Sequence, residues 1–273
     1  MPELPEVETT CRGLRAKLPG QRITAVDVRQ GKLRYPIPAD FAAQLTGQTV
    51  TAITRRSKYA LLHLSGGNTL LVHLGMSGRL TFQPATSPPL KHDHVLLRFE
   101  DAQELRYFDP RRFGFMDIVP TADLPTSRYL AHLGPEPLEE DFTPAWLYQQ
   151  LHRRSTPVKV ALMDAAVVVG VGNIYANEAL FRAGIRPTIA AKRLTKPACA
   201  RLVQTVQEVL TAAIAAGGTT LRDYQQTDGA LGYFFNDFNV YGRAGARCLV
   251  CQTPIKRVVL AQRATFYCPC CQK

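Results

Sequence analysis

The sequence predicts an α+β chain of several units: an N-terminal helix and antiparallel β-sandwich, then a helical segment, then a four-cysteine ribbon. Three observations carry this prediction. Short alternating strands succeed one another from Ile23 to Val119, with turn residues between them. From Pro144 to about Ala216 the pattern is helical and rich in alanine. Two Cys-x2-Cys pairs, Cys248 with Cys251 and Cys268 with Cys271, close the chain sixteen residues apart.

Taken in order, Val7, Cys11, Leu14 and Leu18 recur at helical spacing and predict a helix over 5–18. The β signals are Ile23–Arg29, Thr49–Leu64, Thr69–Gln83, His94–Glu100 and Glu104–Val119. Gly66-Gly67-Asn68, the proline-rich stretch 84–89 and Asp101-Ala102 punctuate them. The stretch 133–138, with two prolines and a glycine, reads as a linker, and a second boundary falls at Gly217-Gly218. The resulting division is a sandwich domain over 1–133, a linker over 134–150, a helical domain over 151–239 containing a distinct segment 217–233, and a ribbon over 240–273. At 273 residues the chain fits two modest domains or one large one, each able to bury a core, and it shows no internal repeat.

Lys and Arg number 33 against 22 acidic residues, a formal excess of 11 positive charges that points to a polyanionic partner. No apolar run approaches the roughly 18 residues of a membrane span, and no secretory pattern precedes Pro2. A soluble intracellular protein is expected, and that setting disfavours disulfides. The paired cysteines therefore fit one tetrahedral zinc ion held by Cys248, Cys251, Cys268 and Cys271. Cys270 would break the two-residue knuckle, and Cys11 and Cys199 read as buried thiols.

The chain opens Met1-Pro2-Glu3-Leu4-Pro5-Glu6. Trimming of the initiator Met before a small residue is expected, and it leaves Pro2 with a secondary amine. Such an amine attacks an aldehyde-like carbon and gives a cationic iminium, with Glu3 placed for proton transfer. The other reading is a proline that starts a helix whose positive end Glu3 and Glu6 favour. Further along, alternation places Arg56 and Lys58 on one strand face, and His73 opposite Leu70, Val72 and Leu74. That face is either solvated or tracks phosphates. The turns 74–78 and 109–114 hold Met76 and Phe113 on loops flanked by glycine, as ordinary hairpins or as wedges that unstack base pairs. Gly170-Val171-Gly172-Asn173 precedes a helix and suits phosphate approach to backbone N–H groups, with Asn173 as a further donor. It is not a dinucleotide fingerprint. Glu178 is either buried and hydrogen-bonded or a site carboxylate.

Along essentially its whole length the chain resembles bacterial formamidopyrimidine-DNA glycosylases. The matching motifs are Pro2 to Thr9, Leu74 to Gly78, Lys91 to Val95, Asp109 to Gly114, Gly170 to Tyr175, Gly217 to Thr220 and the terminal ribbon. The resemblance implies a β-sandwich, a helix–two-turn–helix module and a zinc finger, with DNA held between the two domains. It implies Pro2 as the Schiff-base nucleophile and Glu3 as general acid/base. Lys58 is implied in β-elimination and phosphate binding, and Arg263, at the tip of the ribbon hairpin, in δ-elimination and backbone contact. Met76, Arg111 and Phe113 match the trio that fills the gap left by a flipped base, Arg111 pairing with the orphaned cytosine. His73, His92, Lys159 and Asn173 match DNA contacts, as do Arg153 and Arg154 less closely.

The activity so implied is a bifunctional glycosylase/lyase of base-excision repair, excising 8-oxoguanine and formamidopyrimidines from duplex DNA and then cutting the strand by β,δ-elimination. The zinc is structural. A monomer without nucleotide cofactor, cytoplasmic and nucleoid-associated when acting, is the expected form. The segment 217–233, rich in backbone donors, hydroxyls and glycine, suits a loop that reads the lesion. Two other readings stand beside this one: an oxidised-pyrimidine glycosylase of the same fold, and a catalytically silent damage-binding protein. The second has no use for an imine-forming amine and its acid. This sequence departs from the family pattern at Ala165, where an amide is usual, and at Val160, where proline is common.

Overall fold

A computed structural model of the chain describes residues 2–219, 226–228 and 234–273. Its contacts divide into two units, residues 1–131 with 216–233, and residues 132–215 with 234–273.

The first unit begins with α1 (Leu4–Arg15), which ends where Pro19 forbids continuation and Leu18 folds back onto the Leu14 carbonyl. Eight strands follow: β1 (Ile23–Val28), β2 (Val50–Arg56), β3 (Tyr59–Leu64), β4 (Asn68–His73), β5 (Arg79–Pro84), β6 (Asp93–Phe99), β7 (Gln103–Phe108) and β8 (Phe115–Pro120). A short helix α2 (Phe41–Leu45) caps the β1 side. The strands form two four-stranded antiparallel sheets, in the orders β1-β6-β7-β5 and β2-β3-β4-β8. Leu80, Val95, Leu97 and Leu105 of one sheet and Leu62, Leu70, Val72 and Met116 of the other meet Val7, Cys11 and Leu14 of α1 in a single core. The sandwich expected from the alternating pattern is present.

The second sheet is buried on its outer face as well, where Leu61, Leu71, Phe115 and Val119 pack under Leu124 and Tyr129. That is why Ala60-Leu61-Leu62 and Leu70-Leu71-Val72 are continuous apolar runs rather than alternating ones. Three of the five predicted β runs hold two strands and an intervening turn: 49–64 is the β2–β3 hairpin, whereas 69–83 and 104–119 each pass from one sheet to the other. The first turn corrects one expectation. Ser57 and Lys58 form a two-residue loop between the paired Arg56 and Tyr59, so Arg56 and Lys58 do not share a strand face. Ser57 takes φ +55°, the left-handed value such a loop demands.

The second unit contains α3 (Pro144–His152), α4 (Val158–Leu162), α5 (Asn173–Arg182) and α6 (Lys196–Ala215), with α3 and α5 both packed on α6. It ends in the hairpin β9 (Lys256–Leu260) and β10 (Arg263–Tyr267). Phe181 of α5, Val240, Ile255 and Phe266 enclose Cys248 and Cys268. Among the described residues, no helix is long and apolar enough to cross a membrane.

Candidate functional site

Pro2 and Glu3 stand directly before α1, both buried. Glu3 is the helix N-cap, with extended backbone, and shares a reciprocal capping box with Glu6. The Glu6 carboxylate accepts the Glu3 N–H at 2.7 Å on Oε2 and the Thr219 N–H at 2.8 Å on Oε1. One buried carboxylate thus joins the N-terminal end of the chain to the segment after α6. Gly218 permits this approach: its φ is +81°, and a Cβ there would lie 3.2 Å from Glu6 Oε1. The cap fixes the backbone that carries both Pro2 and Glu3. Behind them Glu8 accepts from Arg15 at 2.8 Å and Arg55 at 3.0 Å, linking α1 to β2. Burial opposes the charge on Glu8, but the two arginines hold its carboxyl below the usual value.

The expected lesion-reading segment falls largely on residues 220–225 and 229–233, outside the described residues. Thr227, within it, is buried against α1: its carbonyl accepts the Phe82 N–H at 2.9 Å. A Cβ on Gly13 would lie 2.0 Å from its Oγ1. Sequence reading missed Glu6, Gly13 and Thr227 as supports. The Glu3-x2-Glu6 capping pattern was the available signal for the first.

Lys58, His73, Met76, His92, Arg111 and Phe113 all belong to the first unit. His73 ends β4 on the face opposite Leu70 and Val72, as predicted, stacked on Phe115 at 5.2 Å and beside Tyr59. Its Nδ1 accepts the Gly75 N–H at 3.1 Å, which leaves Nε2 as the N–H donor of a neutral ring. Burial, with the nearby charges of Lys58 and Arg34, pushes its pKa down to about 4. Met76 is half-buried in its turn, whereas Phe113 is 47 % exposed with the Arg111 guanidinium 4.7 Å from its ring centre. His92, in the turn before β6, lies edge-on to Phe108.

In the second unit two of the residues expected to contact DNA have hydrogen-bond partners within the protein. Lys159 is fully buried, its ammonium donating to Asn173 Oδ1, so it orients that amide and is not itself open to a phosphate. Asn173 begins α5 after Gly172, as expected, but its Nδ2 donates to the Ala264 carbonyl at 3.1 Å. The amide thereby fixes the hairpin residue next to Arg263. Arg263 is exposed and follows the turn residues Ala261 (φ +44°) and Gln262 (φ +60°), at the hairpin tip as predicted. Arg154 is half-buried, bonded to the Gln150 carbonyl at 2.6 Å and to Asp164 at 3.3 Å. At the departure from the family pattern, the Ala165 carbonyl accepts the Gly134 N–H, so this loop is held through its backbone.

Glu178 resolves to a buried structural acceptor. Its carboxylate takes four N–H groups: the backbone and side chain of Asn239, and the backbones of Val240 and Tyr241, at 2.8–3.0 Å. Asn177, beside it, accepts the Phe266 N–H at 2.7 Å. The Sγ atoms of Cys248, Cys251, Cys268 and Cys271 lie within 4.8 Å of one another. Cys248–Cys271 is 3.9 Å and Cys251–Cys268 is 3.4 Å, near the roughly 3.8 Å edge of a tetrahedron with 2.3 Å zinc–sulfur bonds. The donor set fits a structural zinc. Cys270 is exposed and outside the cluster, and burial pushes the Cys11 and Cys199 thiols up to about 12 and 11.

Comparison with known proteins agrees with this geometry. Three family models match in succession: the formamidopyrimidine-DNA glycosylase N-terminal domain over residues 1–116, the H2TH domain of the same enzymes over 133–225, and a zinc finger found in FPG and IleRS over 245–273. A formamidopyrimidine-DNA glycosylase of Thiobacillus denitrificans is 55 % identical over 273 residues, covering all of both chains. The crystal structure of MutM (Fpg) from Thermus thermophilus superposes with a TM-score of 0.89 at 40 % identity, covering 99 % of this chain and 98 % of that one. A Lactococcus lactis Fpg variant in complex with Fapy-dG-containing DNA superposes with a TM-score of 0.93 at 32 % identity over the whole of both chains. The chain belongs to the formamidopyrimidine-DNA glycosylase family.

Proposed function

We propose that this chain excises oxidised purines from damaged duplex DNA and then opens the strand at the abasic site, as a monomer that needs no nucleotide cofactor. The first unit carries the chemistry, and the second grips DNA and holds the zinc. The observation that carries this reading is Pro2 beside Glu3, both buried at a capped helix start that Glu6 connects to the segment after α6. With Met1 removed, the Pro2 nitrogen attacks C1′ of the damaged nucleotide and the glycosidic bond breaks. Glu3 assists opening of the sugar ring. The resulting iminium acidifies C2′, whose proton leaves as the 3′ phosphate is eliminated. A second elimination releases the 5′ phosphate. Lys58 and the Nε2–H of neutral His73 bind phosphate from the first unit, Arg263 and the α5 start from the second. Met76, Arg111 and Phe113 occupy the space of the extruded nucleotide. The zinc ribbon supplies the rigid hairpin on which Arg263 stands. The net positive charge and the family's solved complexes with damaged DNA support the choice of duplex DNA as partner, and the cytoplasm, at the nucleoid, as the place of action.

Borohydride trapping on DNA bearing 8-oxoguanine, paired with N-terminal mass measurement, tests the reading. A covalent adduct is expected only for chains that begin at Pro2. An adduct of equal yield from a preparation retaining Met1 would exclude Pro2, because its nitrogen is then an amide. Running oxidised-pyrimidine DNA in parallel decides between purine and pyrimidine preference.

A further inference from the structure

Met76 lies on the turn between β4 and β5, while Arg111 and Phe113 lie on the turn between β7 and β8. Nothing in sequence proximity couples them, yet a buried polar group joins the two turns. Asp109 is completely buried and its two oxygens serve different turns. Oδ1 accepts the Ser77 hydroxyl at 2.6 Å, and Oδ2 accepts the Gly114 N–H at 2.9 Å and the Tyr107 hydroxyl at 3.3 Å. Ser77, also buried, accepts the Arg111 N–H at 3.3 Å. Residues flanking both wedges, Ser77 after Met76 and Gly114 after Phe113, therefore converge on one carboxylate. His94 closes the group by donating Nε2–H to the Asp109 carbonyl at 2.8 Å.

Backbone contact reinforces the link. Gly75 has φ +64°, and a Cβ on it would lie 2.2 Å from the Gly114 nitrogen. A Cβ on Gly114 would lie 1.9 Å from the Tyr107 hydroxyl. The turns touch with no room for a side chain on either glycine. Burial and the Asp109 charge hold the Tyr107 hydroxyl in its protonated, donating form.

We propose that Asp109 and Ser77 are positioning residues that latch the two turns into one rigid body, so that Met76, Arg111 and Phe113 enter the duplex as a unit. This rests on the wedge reading given above. Neither latch residue touches DNA; each acts through the side chains it places. If the wedges entered independently, removing one would leave the other's contribution unchanged. When they enter as one body, each depends on the other, and the effects of removing them do not multiply.

A double-variant cycle on excision of 8-oxoguanine opposite cytosine tests this, with Met76→Ala and Arg111→Ala made singly and together. In the otherwise native protein the double variant is expected to lose about fivefold less than the product of the single losses. In Ser77→Ala, which removes the hydroxyl bridge, the losses should multiply to within about twofold. Asp109→Asn, which replaces one acceptor oxygen by a donor, should do the same from the other side of the latch, so a fold defect in either variant does not block the test. Cleavage of a preformed abasic site in single-stranded DNA, where there is no opposite base to fill, serves as the control for an intact N-terminal centre. Non-additivity that persists in Ser77→Ala or Asp109→Asn overturns the latch and leaves the wedges standing. Single variants without effect on excision overturn the wedge reading and the latch with it.

Discussion

Glu178→Gln provides a demanding test of how the zinc ribbon is held. The side chain is fully buried and accepts four N–H groups, two on each oxygen, from residues 239–241. Glutamine keeps the shape but turns one oxygen into an NH2 group, which meets two donors and can accept from neither. A hydrogen bond to a charged acceptor contributes about 1.5–3 kcal/mol, so two lost bonds amount to roughly 3–6 kcal/mol, before any repulsion between facing donors. That is a large share of the roughly 5–15 kcal/mol by which a folded domain outlasts its unfolded state. The loss should be local, because these amides belong to the segment just before Cys248. Hydrogen exchange read at single amides is the assay. Protection at Asn239, Val240 and Tyr241 should fall by about two to four orders of magnitude, since roughly 1.4 kcal/mol is a factor of ten. Protection in β3 and β4 of the sandwich should stay as it was. Zinc release to a chelator should quicken in parallel. Protection at 239–241 within about threefold of the native protein would refute the idea that this carboxylate organises the approach to the ribbon.

Three further outcomes are expected. Arg111→Ala should flatten the preference for lesions opposite cytosine over adenine by roughly 1–3 kcal/mol, because a guanidinium offers only donors and cytosine presents O2 and N3 acceptors; an unchanged ratio in paired excision assays removes Arg111 from that role. Cys268→Ser should release zinc and weaken DNA binding, while Cys270→Ser, outside the cluster, keeps its zinc; equal zinc content in the two variants by atomic absorption would show the ligands to be misassigned. His73, with its pKa pushed down from 6.5 to about 4 by burial and by Lys58 and Arg34, contributes stability that is complete above pH 6.5 and lost as the pH falls towards 4, on the order of 3 kcal/mol in all. His73→Gln should flatten that acid slope in urea unfolding series, and an unaltered slope would assign it to other groups.

Much of the fold was legible because its signals are local. Helical spacing in Val7, Cys11 and Leu14, the alternating strands and the cysteine spacing each declare an element from a few neighbouring residues. Lys58 shows where this stops. The run 49–64 alternates well enough to read as one strand, and only the left-handed Ser57 turn moves Lys58 from a strand face to a hairpin loop. Lys159 and Asn173 were named through the family resemblance, and a resemblance says nothing about burial. A lysine at 0 % exposure beside an amide that faces Ala264 is a property of packing between α4, α5 and the hairpin. Glu6 and Asp109 escaped as supports for a related reason. Glu6 reaches Thr219 and Asp109 reaches Ser77 across more than thirty residues of chain, and partners that distant leave no local mark in a sequence.

The helix α5 places Asn173, Asn177 and Glu178 within two turns, and these three side chains hold Ala264, Phe266 and residues 239–241. Small zinc ribbons are commonly regarded as portable modules, able to be exchanged between proteins as sealed cassettes. This one is not sealed. Its hairpin strand β10 and the irregular segment 239–241 that leads into it are both held by hydrogen bonds from a helix more than sixty residues earlier in the chain. A transplanted segment 240–273 would carry its four cysteines and fold around zinc, yet present Arg263 at an angle that no partner now dictates. The smallest portable unit is α5 together with the ribbon, and chimeras between relatives should keep those two pieces from the same parent.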